Sequence, residues 1–266
     1  MFHRREHIVC SDIFGEGRVR HGFATRSGGV STIPEVSSMN VAVRMGDSLE
    51  NVEENMKRLA AYVGLEGCPV IYSKQIHSTS VIRVTHDDVI PYPETRECDG
   101  YVTDTPGLLL LVRSADCVPI LFSGEKEDSS PIIGAVHAGW RGTVSGIAGA
   151  AVRMMCDLGA RAESIRVAVG PSIHDCCFEV KEDFVESVRQ MAGKDFADRH
   201  IVKDGGGYFA SLQRMNTEIL ESHGILRENI DISPDCTAHM SDIYHSHRAT
   251  SGMRGTGGGV IGIAKA

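Results

Sequence analysis

No apolar stretch in this 266-residue chain is long enough to cross a bilayer; runs such as Leu108 to Val112 fall far short of the roughly 20 residues a spanning helix needs. The N-terminal MFHRREHIVC is charged and lacks the apolar segment of a secretory leader, so a soluble, cytoplasmic protein with no membrane partner is expected. An excess of positive charge is also missing. Lysine and arginine number 27 against 35 acidic residues, a net charge of −8, which argues against a nucleic-acid partner gripped through phosphates. There is no CxxC among the eight scattered cysteines, and a chain this long needs no disulfide framework. Most of the thiols are expected to be reduced and buried. HExxH, GxxxxGK[ST] and GxSxG are absent, which removes the common zinc-protease, P-loop and serine-hydrolase readings. A GxGxxG match at Gly257, Gly259 and Gly262 stands too close to the last residue for the helix and βαβ unit of a dinucleotide site; it reads as a loop entering a last strand.

What remains is a core-forming chain, 42% hydrophobic and with 29 glycines suited to tight turns. Four helices are predicted. One is capped by Asp47, with Glu50 three residues on, and carries Leu49, Val52, Met56, Leu59 and Val63 at helical spacing as far as Gly64. Another opens at Thr143 and stops at Gly159; the others run near 182–192 and 212–223. Strands are expected at 70–72, 80–84, 108–112, 118–122, 132–136, 165–169 and 260–263. Several are apolar on both faces, as in covered sheets. Because three strands follow one another around 108–136, the pattern indicates an α/β (α+β) fold, a single domain over 1–266 with mixed β-sheets covered by helices. GEKEDSS (124–130) reads as a hairpin loop, not a domain boundary.

Two segments carry the clearest chemistry. In RSADCVPILF, Cys117 stands at the start of an apolar strand directly after a polar Ser-Ala-Asp. In GAVHAGWRGT, His137 ends a strand and is followed by a Gly-Trp-Arg-Gly turn and the helix at Thr143, a setting in which backbone N–H groups and the helix dipole favour an anion. Taken singly, Cys117 also reads as a core thiol and His137 as a turn residue. His77, in SKQIHST between two strands, has a similar setting. Two imidazoles and a thiolate suit zinc with a fourth position left open. A rival pair, His245 and His247, would share one face of a strand and could itself hold a metal. Cys176 and Cys177, adjacent in sequence, are expected to be packing residues rather than chelators.

In order along the chain, TRSGGVS (25–31), GD (46–47), QIH (75–77), VTDTPGLLLLVRSADCVPILF (102–122), AVHAGWRGT (135–143), VAVGPSIHDCCFEV (167–180) and DCT (235–237) resemble the laccase-domain family of multicopper polyphenol oxidases. That family is also described as a peptidoglycan editing factor and as a purine nucleoside phosphorylase. The resemblance spans nearly the whole chain and implies a laccase-domain α/β fold with a zinc ion, or copper in the older reading, on His77, Cys117 and His137. It also implies phosphorolysis of adenosine, inosine, guanosine and methylthioadenosine, with adenosine deamination alongside. Pocket residues implied are Arg26, Asn40, Gln75, Arg141 and Arg248. In the family pattern QIH is followed by glycine, where this chain has Ser78, and the C-terminal motif here reads YHSHRAT.

The expected partners are a small-molecule nucleoside and phosphate, and the expected assembly is a monomer or homodimer. Arginines bind phosphate bidentately, so Arg26, Arg141 and Arg248 are the anion candidates. Asp116 would act as a proton shuttle or as support for a metal ligand. Three other readings compete. Cys117 could be a nucleophile activated by His137 in an amidase acting in peptidoglycan precursor editing; the protein could be a copper-dependent polyphenol oxidase, for which His245 and His247 form the one HxH pair; or zinc could be purely structural, closed by a fourth ligand such as Cys236.

Overall fold

The computed structural model describes residues 1–93 and 95–265. Two six-stranded mixed sheets lie at the centre. The first runs in the order Phe2–Arg5, Ile8–Ser11, Val19–Ala24, Gly257–Ile263, Leu109–Ser114, Val70–Ile71. The second runs Ile230–Ile232, Arg166–Val169, Val118–Glu125, Pro131–Ala138, Gly100–Thr103, Val81–Arg83. Most pairings are antiparallel, with parallel ones where Val70–Ile71, Val81–Arg83 and Ile230–Ile232 join.

The sheets face each other, and each has helices on its outer side, which is why their central strands are apolar on both faces. In the first sheet, Leu109 and Leu111 pack with Val52, Met56 and Leu59 of helix Leu49–Tyr62. The alternate residues Leu110 and Val112 turn inward to meet Leu121, Ile133 and Ala168 of the second sheet. From that sheet Ile120, Phe122, Ile132 and Val136 face outward onto helix Ile147–Asp157 and helix Leu212–Ser222. The architecture is the expected mixed α/β, with an order of helix, sheet, sheet, helix.

All seven predicted strands form. The glycines of the GxGxxG match belong to Gly257–Ile263, a buried interior strand of the first sheet. A Cβ on Gly259 would lie 2.9 Å from the Phe23 ring, so this glycine lets the sheets close. Helices Glu182–Ala192 and Leu212–Ser222 fall where expected. Two helix starts differ. The hydroxyl of Ser48, not Asp47, caps helix Leu49–Tyr62 by accepting from Asn51 N; Asp47 is buried and accepts from Ser31, Asn40 and Asn51. The segment read as a turn before Thr143 is itself helical, Trp140–Val144, and Gly146, at φ 86°, separates it from Ile147–Asp157. A short helix, Lys194–His200, and the N-terminal strands were not foreseen.

Leu121 is fully buried between the sheets. In urea denaturation, Leu121→Ala should cost about 2–5 kcal/mol, whereas Glu127→Ala at the exposed hairpin tip should stay within about 0.5 kcal/mol of wild type. Equal effects would contradict this layering.

Candidate functional site

Three chain segments converge at one end of the sandwich, and two of them are crossings between the sheets. Between Leu109–Ser114 in the first sheet and Val118–Glu125 in the second lie only Ala115, Asp116 and Cys117. Asp116 makes this sharp crossing with φ 94°, a conformation costly for a side chain bearing a Cβ. His77 lies on the second crossing, between Val70–Ile71 and Val81–Arg83, and is also left-handed at φ 60°. His137 comes from within Pro131–Ala138, paired with Pro119 of the neighbouring strand, which brings it beside Cys117.

The donor atoms of His77, Cys117 and His137 all lie within 4.8 Å of one another. Cys117 Sγ is 4.0 Å from His77 Nε2, and the two imidazoles meet edge to face with centroids 4.9 Å apart. Gly139 is required beside them: a Cβ there would come within 2.5 Å of the His77 ring and 3.4 Å of Cys117 Sγ.

A residue that sequence reasoning missed holds this arrangement. Asp99, completely buried just before strand Gly100–Thr103, accepts at 3.2, 3.0 and 2.7 Å from the backbone N–H groups of Ile76, His77 and Ser78. It accepts also from the Ser78 hydroxyl at 2.8 Å and pairs with His137 Nδ1 at 2.9 Å. Ser78, which stands where the family pattern has glycine, therefore adds a donor to the carboxylate. Burial would raise the Asp99 carboxyl, yet these bonds from His137 and Ser78 hold it down at about 2. Burial would likewise raise the Cys117 thiol, but the charge of His137 and bonds from both imidazoles bring it to about 6. For His137 burial acts downward, and the Cys117 and Asp99 charges overcome it, raising it to about 9. Each charge thus favours the other, drawing Cys117 toward the thiolate and His137 toward the imidazolium.

The remaining predicted residues are placed as follows. Both Asp116 carboxylate oxygens are in use, accepting from the Thr237 hydroxyl at 2.7 Å and from Arg248 N at 2.6 Å; the carboxylate that orients a site histidine is Asp99. Gln75 is locked in a two-way bond with the backbone of Arg113. Asn40 is completely buried, donating to Asp47 and the Ala42 carbonyl and accepting from Thr256 N. The Arg26 guanidinium rests on carbonyls of Ser241, Ser37 and Pro34, and that of Arg248 on carbonyls of Cys177 and Glu179. Arg141 is exposed, its guanidinium carbon 4.2 Å from the Trp140 ring centre.

Arg254, which the sequence did not single out, has a buried Nε without a partner. Burial and Arg44 pull its pKa down, while the nearby charges of Asp116 and Cys117 act the other way. It is therefore a cation at the centre's edge with a donor to spare. A cavity of about 700 Å³ opens elsewhere, between helix Leu49–Tyr62 and Tyr72 and Tyr92, and is lined by none of these residues.

Two expectations are corrected. His245 and His247 do not share a face: the segment is a series of turns, His245 is buried against the Met39 carbonyl, and His247 is exposed. Burial, with Arg26 and Arg254, lowers His245 to about 3. Cys176 and Cys177 do bring their sulfurs together, 3.9 Å apart, in a cluster with Cys236 and His239. Cys236 thus belongs to that cluster and does not close the His77 site.

Residues 20–264 match the family model described as multi-copper polyphenol oxidoreductase laccase. A purine nucleoside phosphorylase of Deinococcus radiodurans is 34% identical over 247 residues, 93% of this chain and 90% of that protein. The purine nucleoside phosphorylase YlmD of Geobacillus stearothermophilus is 32% identical, covering 88% of this chain and 86% of the relative. Among solved structures, the hypothetical protein YfiH of Bacillus licheniformis superposes with a TM-score of 0.88 at 28% identity, over 98% of both chains. With its ADC and HAGWRG segments meeting at one centre on this fold, the chain belongs to the multi-copper polyphenol oxidoreductase laccase family.

Proposed function

We propose that residues 1–266 act as one laccase-like domain catalysing phosphorolysis of purine nucleosides, with adenosine deamination alongside, at a zinc centre on His77, Cys117 and His137. The observation that carries this reading is the convergence of two imidazoles and a depressed thiol within 4.8 Å. It is joined by the activity named for relatives that share 88–93% of the chain. The donor set fits the ion: two nitrogens and a thiolate are zinc's preferred chemistry, and three protein ligands leave a fourth position open, unlike a closed structural site. Copper oxidation gains nothing from the His245–His247 segment, which forms no pair. When bound, zinc would supply a Lewis acid and a water of lowered pKa, the latter suited to attack at the purine C6.

The chain's own residues do the rest. Asp99 accepts a hydrogen bond from the Nδ1–H of His137, which leaves Nε2 for the metal and fixes the ring. In phosphorolysis, a phosphate oxygen forms a bond to the ribose C1′ as the bond to the purine nitrogen breaks; adenosine yields adenine and ribose 1-phosphate. Arg26 and Arg248 commit their guanidinium donors to backbone carbonyls. Arg254 donates through Nη1 to the Gly255 carbonyl and the Thr256 hydroxyl but keeps its Nε unpartnered, so Arg254 and the exposed Arg141 are the first candidates to hold the anion. Asp116 connects the centre to the C-terminal loop through Thr237 and Arg248.

A second reading has its own observation. The Cys117–His137 pair with Asp99 behind it is also the arrangement of a nucleophilic cysteine, as in an amidase. Products and metal separate the two. Adenosine with phosphate should give adenine and ribose 1-phosphate, chelation should stop the reaction reversibly, and Cys117→Ala or His137→Ala should lose both activity and the zinc of this centre. An active, metal-free enzyme with a trappable acyl group on Cys117 would establish the amidase reading instead.

Asp99→Asn keeps the shape of the side chain and removes its charge. It should weaken zinc binding about 10–100-fold, the usual scale for losing the support of a ligating histidine. In metal-free protein, His137 loses a neighbour that favours its cation, so the Cys117 thiol should rise above about 6. Alkylation against pH should show the inflection moving upward; an unmoved inflection and undiminished affinity would remove Asp99 from the centre.

Arg254→Gln should raise the KM for phosphate about 10–100-fold, the scale of a lost charge-assisted hydrogen bond, with a much smaller change in the KM for nucleoside. If the phosphate KM is unchanged, the anion site moves to Arg141.

A further inference from the structure

We propose that Cys176, Cys177, Cys236 and His239 form a second metal site, a closed Cys3His site for zinc that ties the loop at 174–177 to the loop at 236–239. Their four ligand atoms lie within 4.8 Å of one another, close enough to share one ion. Bond lengths of about 2.3 Å to sulfur and 2.0–2.1 Å to nitrogen require edges of about 3.8 Å between sulfurs and about 3.6 Å from sulfur to nitrogen. Cys176 Sγ is 3.9 Å from Cys177 Sγ and 3.4 Å from His239 Nδ1. This set is separate from His77, Cys117 and His137, and all four of its positions come from the protein, which marks a structural rather than a catalytic site.

The surroundings favour metal over a disulfide. Neighbouring residues hold their Cα atoms about 3.8 Å apart, shorter than an ordinary disulfide spans, so Cys176 and Cys177 are poorly disposed to bond each other. A bridge from either to Cys236 would strand the other thiol beside His239. The Cys236 sulfur already accepts from His174 N at 3.4 Å, and the backbone N–H groups of Ala238 and His239 also favour its thiolate. A cation seated among three crowded sulfurs would release their protons as it binds.

Closing this site has a consequence for the catalytic centre. Thr237, next to Cys236, donates to Asp116, and Asp116 is next to Cys117. Arg248 donates from its guanidinium to the Cys177 carbonyl and from its backbone to Asp116. The metal would therefore fix the 236–239 loop that holds Asp116 and the Cys177 carbonyl on which Arg248 is anchored.

The test is metal content by mass spectrometry on full-length protein purified under reducing conditions with zinc present. Wild type should hold about two zinc ions per chain, Cys117→Ala about one, Cys176→Ser or His239→Ala about one, and Cys117→Ala/Cys176→Ser none. Cys176 and His239 are exposed, so these substitutions leave the core intact. As an independent readout, Cys117→Ala titrated with Co²⁺ should show intense sulfur-to-cobalt charge transfer with tetrahedral visible bands, weakened or lost on adding Cys176→Ser. The proposal is overturned if wild type holds one zinc that Cys176→Ser retains in full, if Co²⁺ produces no thiolate band in Cys117→Ala, or if peptide mapping of the reduced preparation still finds Cys236 disulfide-bonded. Because Cys117→Ala empties only the His77 centre, failure of the second site and failure of the catalytic reading give different metal counts.

Discussion

One buried carboxylate sets the geometry on which the rest depends. Asp99 is wholly removed from solvent, where an unpaired charge would cost several kcal/mol. That cost is offset by three backbone N–H groups, the Ser78 hydroxyl and the His137 ring. The same bonds bend the chain at 76–78, hold His77 in its left-handed conformation and aim the far nitrogen of His137 toward Cys117. Solvation of a charge and construction of the centre are one event here. Removing the charge leaves several donors without their acceptor as well as one histidine without support.

The layered sandwich explains why the centre lies where it does. Each sheet must be covered on both faces, so the chain has to pass from one sheet to the other, and it does so abruptly at Ala115–Cys117 and again across His77. Residues on such crossings are free of ladder pairing and can turn side chains into the gap at the sandwich's end. The backbone has to bend sharply for this, at φ 94° for Asp116 and 60° for His77. Strain at these positions is held in place by Asp99 on one side and by Thr237 and the Arg248 N–H on the other.

Much of this was legible in the sequence, for reasons that differ residue by residue. Doubly apolar runs such as Leu108–Val112 announced covered strands because both faces bury, Leu109 and Leu111 outward and Leu110 and Val112 inward. Cys117 and His137 stood out because each sits where an apolar strand meets polar or glycine-rich residues. Asp99 was silent: its partners His137 and Ser78 are 38 and 21 residues away, and nothing local distinguishes one Asp-Gly from another. Arg254 was hidden for the same reason, its neighbours Asp116 and Cys117 being distant in sequence. At Asp47 the local rule favoured the wrong residue, because a helix cap and a buried hydrogen-bond acceptor look alike until Ser48 is seen to do the capping. The reading of His245 and His247 assumed a strand; turns separate them instead, one inward and one outward.

Adjacent cysteines are the most instructive case. Two neighbours on a strand point to opposite faces, and from that rule Cys176 and Cys177 should not meet a common partner. They lie instead in a turn, where Cys177 N and Phe178 N both bond back to the His174 carbonyl and the backbone curls the two side chains to the same side. Curling brings the sulfurs within 3.9 Å and faces them toward Cys236, whose own loop is registered on the same region by the Ser172–Cys236 bridge and the Thr237 N–H on the Ser172 carbonyl. Backbone hydrogen bonds thus assemble the cysteine cluster before any metal is considered, just as Asp99 assembles the histidines. A short relay joins the two clusters, from Cys236 through Thr237 to Asp116 and Cys117. A displacement of the 236–239 loop cannot leave Asp116 unaffected, because one of its carboxylate oxygens accepts from Thr237 and the other from Arg248, whose guanidinium is anchored on the Cys177 carbonyl. Cys117 is therefore tied by its neighbouring residue to the geometry of the cysteine cluster.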